Sequence, residues 1–155
     1  MHQIKFVKST ELFPIIKEIF DNNSIACIAV TGMSMYPFLR EKIDSVELSP
    51  PDFKGMNRGD IVLIRREDGE YVLHRVVRKN RDHFYIAGDA QQLIEGPLHR
   101  DQLVAVVTSV RRREKKIKCN NFIWRLLSSI WTLLLPLRRF IIKSYIFLRN
   151  IHNII

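Results

Sequence analysis

The spacing of hydrophobic positions changes character twice along this chain. Between residues 9 and 21, Leu12, Ile15, Ile16, Ile19 and Phe20 recur at three- and four-residue intervals, which predicts a short amphipathic helix. Ser9 or Thr10 stands where a cap is needed, and Glu11 falls in the first turn. Pro14 fits only near the start, where a missing N–H costs little. Asp21-Asn22-Asn23-Ser24 closes the helix as a turn cluster. From there to about residue 113 the apolar runs are short and punctuated by Gly, Pro and Asp, the pattern of strands. Residues 25–31 stop at Gly32, and residues 45–48 stop at Ser49-Pro50-Pro51. Residues 61–65 follow Gly59-Asp60, and Asp68-Gly69 turns the chain into residues 70–78. Residues 84–87 lead into Gly88-Asp89, and residues 103–110 form the last clear strand. Short strands at close spacing predict a mainly β fold, an open barrel or coiled sheet rather than a βαβ layer.

The second change comes near residue 119. Residues 122–137 hold Trp124, Trp131 and five Leu before Pro136, with Arg125 as the one charge; residues 140–155 are again apolar, with Lys143, Arg149 and His152. Neither piece supplies the roughly 18–20 uncharged residues that span a bilayer. Trp, Tyr and Arg interleaved with Leu and Ile suit the headgroup boundary instead. The chain therefore divides into an N-terminal helix (1–24), a β body (25–113) and a basic, apolar, helical tail (114–155).

Charge follows the same division. Residues 1–110 carry 14 Lys and Arg against 15 Asp and Glu, whereas residues 111–155 carry 11 against one. The net charge of +9 is thus a property of the tail, not of the whole surface. That distribution favours anionic lipid over nucleic acid as the partner of residues 119–155, with a second protein packed on a helical hairpin as the other reading. The run 111–118, rich in Arg and Lys, reads as a solvated strand end or as part of this headgroup contact. At 155 residues and 46% hydrophobic, the chain can bury one modest core and is neither disordered nor repetitive. Cys27, inside an apolar run, is expected to be a buried core thiol, and Cys119 sits at a basic boundary; their spacing gives no metal site and no disulfide framework. Met1-His2-Gln3-Ile4-Lys5 opens no long apolar run, so neither a secretory signal nor an N-terminal span is expected.

The chemistry-bearing segment is Thr31-Gly32-Met33-Ser34-Met35-Tyr36-Pro37. A glycine at a strand end permits a sharp turn, from which a serine can present its hydroxyl and a backbone N–H to one carbonyl. A serine hydroxyl needs a neighbouring base. His74 is the outstanding candidate, because in Tyr71-Val72-Leu73-His74-Arg75-Val76-Val77 side chains 72, 74 and 76 share a strand face. An imidazole among valines is partly desolvated, which keeps it neutral and able to accept a proton. His83, His99 and His152 fit no such pattern and read as surface or turn residues, and His2 as part of the terminus.

Gly32-x-Ser34-Met35-x-Pro37 resembles the nucleophile box of the signal peptidase I and LexA-like serine peptidase superfamily. Arg58-Gly59-Asp60-Ile61-Val62 resembles the family's following strand, Leu73-His74-Arg75-Val76-Val77 its base strand, and Gly88-Asp89-Ala90 its later Gly-Asp motif. The four stand in the family's order over roughly residues 25–110. His74 stands where the bacterial branch has Lys, so the resemblance is to the Ser-His, endoplasmic-reticulum-type subgroup. It implies the mostly β signal-peptidase/LexA-like fold and cleavage of a peptide or preprotein leader without metal or cofactor. It further implies Ser34 as nucleophile, His74 as base, and the Ser34 N–H at the oxyanion, with Gly32 permitting the turn. Met35, Pro37, Gly59, Asp60, Arg75, Gly88 and Asp89 would be the structural frame. An acid should orient the imidazole. Glu95 is the preferred match, with Asp89 and Asp101 as alternatives. A self-cleaving regulator and a silent peptide-binding scaffold are the competing functions.

Overall fold

The computed structural model describes residues 9–152. Helix α1 (Ser9–Asp21) precedes eight strands: β1 (Ala26–Ala29), β2 (Asp44–Ser49), β3 (Ile61–Arg65), β4 (Tyr71–Lys79), β5 (His83–Ala87), β6 (Glu95–His99), β7 (Leu103–Arg112) and β8 (Lys115–Lys118). Helices α2 (Phe122–Leu133) and α3 (Arg138–His152) follow, joined by a tight 3₁₀ turn through Pro136. The fold is mainly β, as the sequence predicts. The cap expected of Ser9 or Thr10, and the first-turn Glu11, concern side chains outside those described.

All strand pairs are antiparallel, in the order β1-β2-β7-β3-β4-β5-β6, with β8 added to β7. The sheet is open, with β1 and β6 at its ends. Bulges interrupt the register at Glu47/Leu48, Leu63/Ile64, Val76/Arg78 and Phe84/Ile86. Each bulge bends its strand and increases the local twist. Strand β3 shows the consequence for packing. Ile61 and Leu63 join a core with Val46, Leu48, Ala105, Val107 and Ile16 of α1; Val62 and Ile64 join a second core with Val76, Phe84, Ile86 and Leu103. Alternate side chains of one strand thus feed opposite cores.

The structure adds two strands that the pattern of the sequence does not predict. Strand β6 contains Gly96-Pro97, a pair that argues against a strand interior but is tolerated here because β6 is the sheet's edge. Strand β8 is almost wholly basic, and it carries the sheet to Lys118, past the expected end of the body at residue 113. Buried acids of β2 hold cations from β8 and from the end of β7. Arg111 and Lys116 reach the carboxylate of Glu47 (2.7 and 2.6 Å), and Arg112 reaches Asp44 (3.0 Å). These partners hold the Asp44 and Glu47 carboxyls below the ordinary carboxylate range, although burial pushes the other way. The 111–118 run is therefore in part a strand-pairing device, and three of its cations are engaged within the protein.

Cys27 is exposed rather than buried, because β1 is an edge strand and its alternation turns Ala26 inward and Cys27 outward. Cys119 is half-buried, and burial pushes its thiol up to about 12, so it is inert at neutral pH. Both cysteines are free.

The tail docks on the body. Asn121 caps α2 by accepting from the Ile123 N–H (2.9 Å), Trp124 enters the first core, and the Phe38 ring packs against Trp124 and Trp131 at 5.5 and 5.9 Å. The opposite face carries Leu126, Leu127, Leu133, Phe140 and Phe147, all exposed.

Candidate active site

The serine turn is built from the conformations its sequence permits. Gly32 has φ +75, and open space surrounds the position of an added Cβ, so the backbone rather than crowding demands glycine there. Met35 and Leu39 are buried in the first core and anchor the turn, while Ser34 and Pro37 remain half-buried at its rim. The Met33 carbonyl accepts from Tyr36 N–H (3.1 Å), and the Met35 carbonyl from Leu39 N–H (2.8 Å), which tightens the segment.

His74 sits in the middle of β4, opposite Val62 of β3, with Val72 and Val76 on its face. It is 4% exposed, and its Nδ1 has no hydrogen-bond partner. Glu95 Oε2 lies 3.9 Å from Nδ1. Burial is the main force lowering the imidazole below its ordinary value; Glu95 and Asp89 oppose it, and Arg66 reinforces it. The ring is therefore neutral at pH 7, the state a general base requires.

The three candidate acids occupy distinct positions. Glu95 opens β6, and both its oxygens accept from Arg66, from Nε and Nη2 at 2.7 Å each. Arg66 is the chief cause of the lowered Glu95 carboxyl, so Glu95 is an anion beside the imidazole. Asp89 is fully buried and bidentate to fully buried Arg75 (2.8 and 2.7 Å). Asp101 is exposed in the short turn Arg100–Gln102, and it is not among the charges acting on His74. Glu95 is thus the acid that the fold brings to the imidazole, while Asp89 belongs to the frame.

The Gly-Asp motifs tie the frame together. Gly59, at φ +94, donates its N–H to the Val76 carbonyl (2.8 Å) and accepts from Arg75 Nη1 (2.7 Å). The carbonyl of Asp60 accepts from Val76 N–H (2.8 Å), and its carboxylate accepts from Asn57 N–H (2.7 Å); burial raises this carboxyl. Arg75 pairs with Ala87 of β5, and the chain passes from Ala87 into Gly88. The Ala90 N–H then donates to the Ser34 carbonyl (2.8 Å). A Cβ on Gly88 would stand 2.7 Å from that same carbonyl oxygen, so only glycine allows this approach. The fold links Ser34 to the strand bearing His74 through this backbone path, not through a direct hydrogen bond.

Arg66, Trp131 and Arg138 are missed by reasoning from the sequence. Arg66 lies at the end of a hairpin strand, where a solvated cation is the ordinary reading. His83 and His99 form a cross-strand pair with ring centroids 4.6 Å apart, away from this site in sheet register. His2 and the side chain of His152 lie outside the described residues. Among the described residues, no group of three or more His, Cys, Asp or Glu is arranged to hold a metal ion. No family model, no curated protein and no solved structure matches the chain.

Proposed function

We propose that the chain is a membrane-associated serine endopeptidase of signal-peptidase type, with a signal-peptidase/LexA-like fold, that trims a leader or signal sequence from a peptide or preprotein. The observation that carries the reading is the backbone path from the Ser34 carbonyl through Ala90 and Gly88 to the strand pair bearing His74, with Glu95 beside that imidazole. In the reaction, Ser34 Oγ attacks the scissile carbonyl carbon while His74 Nε2 takes the hydroxyl proton. The Ser34 N–H donates to the oxyanion. Collapse of the tetrahedral species breaks the C–N bond, and His74 returns the proton to the leaving amine. Water, deprotonated by His74, then hydrolyses the acyl ester and restores Ser34. Glu95 favours the imidazolium formed in each half-reaction. The test is incubation of the full chain with a varied peptide library and anionic vesicles, with new termini read by mass spectrometry. Discrete cleavage products are expected; peptide binding without turnover would identify a scaffold, and two fragments of the chain itself a self-cleaving regulator.

The pH dependence follows from the imidazole. Cleavage requires neutral His74, so kcat/KM rises with pH through the His74 pKa, which lies below the ordinary 6.5. Arg66→Gln removes a charge that lowers this pKa and frees Glu95, whose charge raises it. The acid limb of the profile is therefore expected to move to higher pH in Arg66→Gln. An unmoved limb would show that Glu95 and Arg66 do not act on the base.

The membrane part of the reading rests on the outward face of α2 and α3. Phe140 and Phe147 are 68% and 66% exposed, and exposed Arg125, Arg139, Lys143 and Arg149 accompany them. No described helix is long and apolar enough to cross a membrane. Interfacial binding fits both features, and each basic residue contributes about 1 kcal/mol near an anionic surface. Deleting the tail is a poor test, because Trp124 belongs to the first core. The variant Phe140→Ser/Phe147→Ser leaves the docked face intact and is expected to weaken co-sedimentation with phosphatidylserine vesicles at least tenfold. Unchanged sedimentation would assign this face to a partner protein.

A further inference from the structure

The tail also touches the turn that holds Ser34. Trp131 Nε1–H donates to the Asp89 carbonyl (3.2 Å), and Arg138 Nη1–H donates to the Gly88 carbonyl (3.0 Å). Arg138 Nε–H donates back to the Trp131 carbonyl (3.0 Å), and the guanidinium stands 5.4 Å from the centre of the Trp131 ring. Gly88 is thus gripped from two sides, by the Ser34 carbonyl, which occupies the space a Cβ would need, and by Arg138 at its own carbonyl.

Arg138 is 0% exposed, an expensive place for a cation. Its nearest carboxylate, Asp89, is already bidentate to Arg75. Nη2 of Arg138 lies 3.8 Å from Asp89 Oδ1 and has no hydrogen-bond partner. Burial and the neighbouring Arg75 lower the guanidinium, to about 10, and Asp89 offsets only part of this. An ion pair therefore does not account for the residue. Its two hydrogen bonds do, because they are made to backbone carbonyls in two separate elements, and a rigid planar fork suits that task.

We infer that Arg138 and Trp131 are positioning residues that clamp the Gly88–Ala90 turn, and through it the backbone of Ser34, so that the docked C-terminal hairpin is part of the active-site scaffold. This rests on the Ser34/His74 reading for its functional consequence, but its structural claim can be measured without turnover. Trp131→Phe keeps a ring against Phe38 and removes the indole N–H. Arg138→Gln removes the fork, and Arg138→Lys restores a single donor.

The experiment is amide hydrogen exchange on the full chain, alongside the peptide cleavage assay. Exchange across residues 88–91 is expected to quicken about fivefold in Trp131→Phe and in Arg138→Gln, the factor that loss of one ordinary hydrogen bond gives. Arg138→Lys should fall between Arg138→Gln and the parent. In the cleavage assay kcat should fall about tenfold with KM little changed, since the clamp touches no substrate. Parent-like exchange at 88–91 in folded Trp131→Phe and Arg138→Gln overturns the clamp, whatever the activity. Should Arg138→Gln fail to fold, Trp131→Phe decides alone. Quickened exchange in proteins that never cleave peptide keeps the clamp and sinks the peptidase reading; a cleaving parent with unmoved exchange in the variants does the reverse.

Discussion

Ser34→Ala and His74→Ala are each expected to lower kcat by about four to six orders of magnitude. The two are expected to be non-additive, because a nucleophile and its base act as one unit. The double variant should therefore be no slower than either single one. Ser34 is half-buried and its side chain anchors nothing, whereas its carbonyl, which alanine retains, accepts from Ala90. Ser34→Ala should consequently melt as the parent does and bind peptide with similar KM-level affinity. His74→Ala removes a buried ring from the second core, so its loss of activity must be read beside its circular dichroism and melting temperature. The measurement is single-turnover cleavage of the best library peptide. Turnover in folded Ser34→Ala at more than about a hundredth of the parent rate would rule out acyl-enzyme chemistry at this serine.

How much of this site was legible in the sequence depended on how local each relation is. The β3–β4 hairpin was legible because Asp68-Gly69 and the apolar runs around it are contiguous, and because β3 is buried on both faces. His74 among valines followed from the two-residue period of one strand. The partner of His74 was less so. Glu95 stands 21 residues from His74, and its approach depends on β6, an edge strand whose Gly96-Pro97 hides it, and on a bulge between Phe84 and Ile86 that resets the register. The internal pairing of the basic run 111–118 is not legible because its neutralising partners, Asp44 and Glu47, lie some 64 to 68 residues away on a neighbouring strand. The exposure of Cys27 is not legible because an apolar run does not reveal which of its alternate side chains face solvent. Arg138 was the least legible of all. A cation after a proline break reads as a helix-end charge, and its burial exists only because the hairpin folds back 50 residues onto Gly88.

The same reasoning makes Asp89 the most costly carboxylate in the body to remove. Arg75 and Asp89 are both 0% exposed, and Arg138 lies 3.8 Å away with an unpartnered nitrogen. Asp89→Ala would leave two buried guanidinium groups facing each other with no anion between them. Removing one partner of a buried pair costs about 3–5 kcal/mol, a large part of the 5–15 kcal/mol that stabilises an ordinary domain. A large fall in the urea midpoint is expected for Asp89→Ala, and a similar one for Asp89→Asn, which keeps the shape but not the charge. Replacing the pair alone, as Arg75→Met/Asp89→Leu, should recover only part of the loss, since Arg138 remains without a counter-charge. Adding Arg138→Met removes that stranded cation but also the donors to the Gly88 and Trp131 carbonyls, so it should recover a further part and not the whole, the groups being coupled in one network. This cycle also separates the roles of the two acids near His74. A frame residue loses stability and activity together, whereas an acid that orients the imidazole loses activity in a protein that stays folded. Asp89→Asn that keeps the parent urea midpoint but loses cleavage would transfer the orienting role from Glu95 to Asp89. Glu95→Gln, half-exposed and paired outward with Arg66, is expected to show the opposite balance: a near-parent midpoint with cleavage about tenfold to a hundredfold slower, less than for a hydrogen-bonded triad acid because its oxygen stands 3.9 Å from Nδ1.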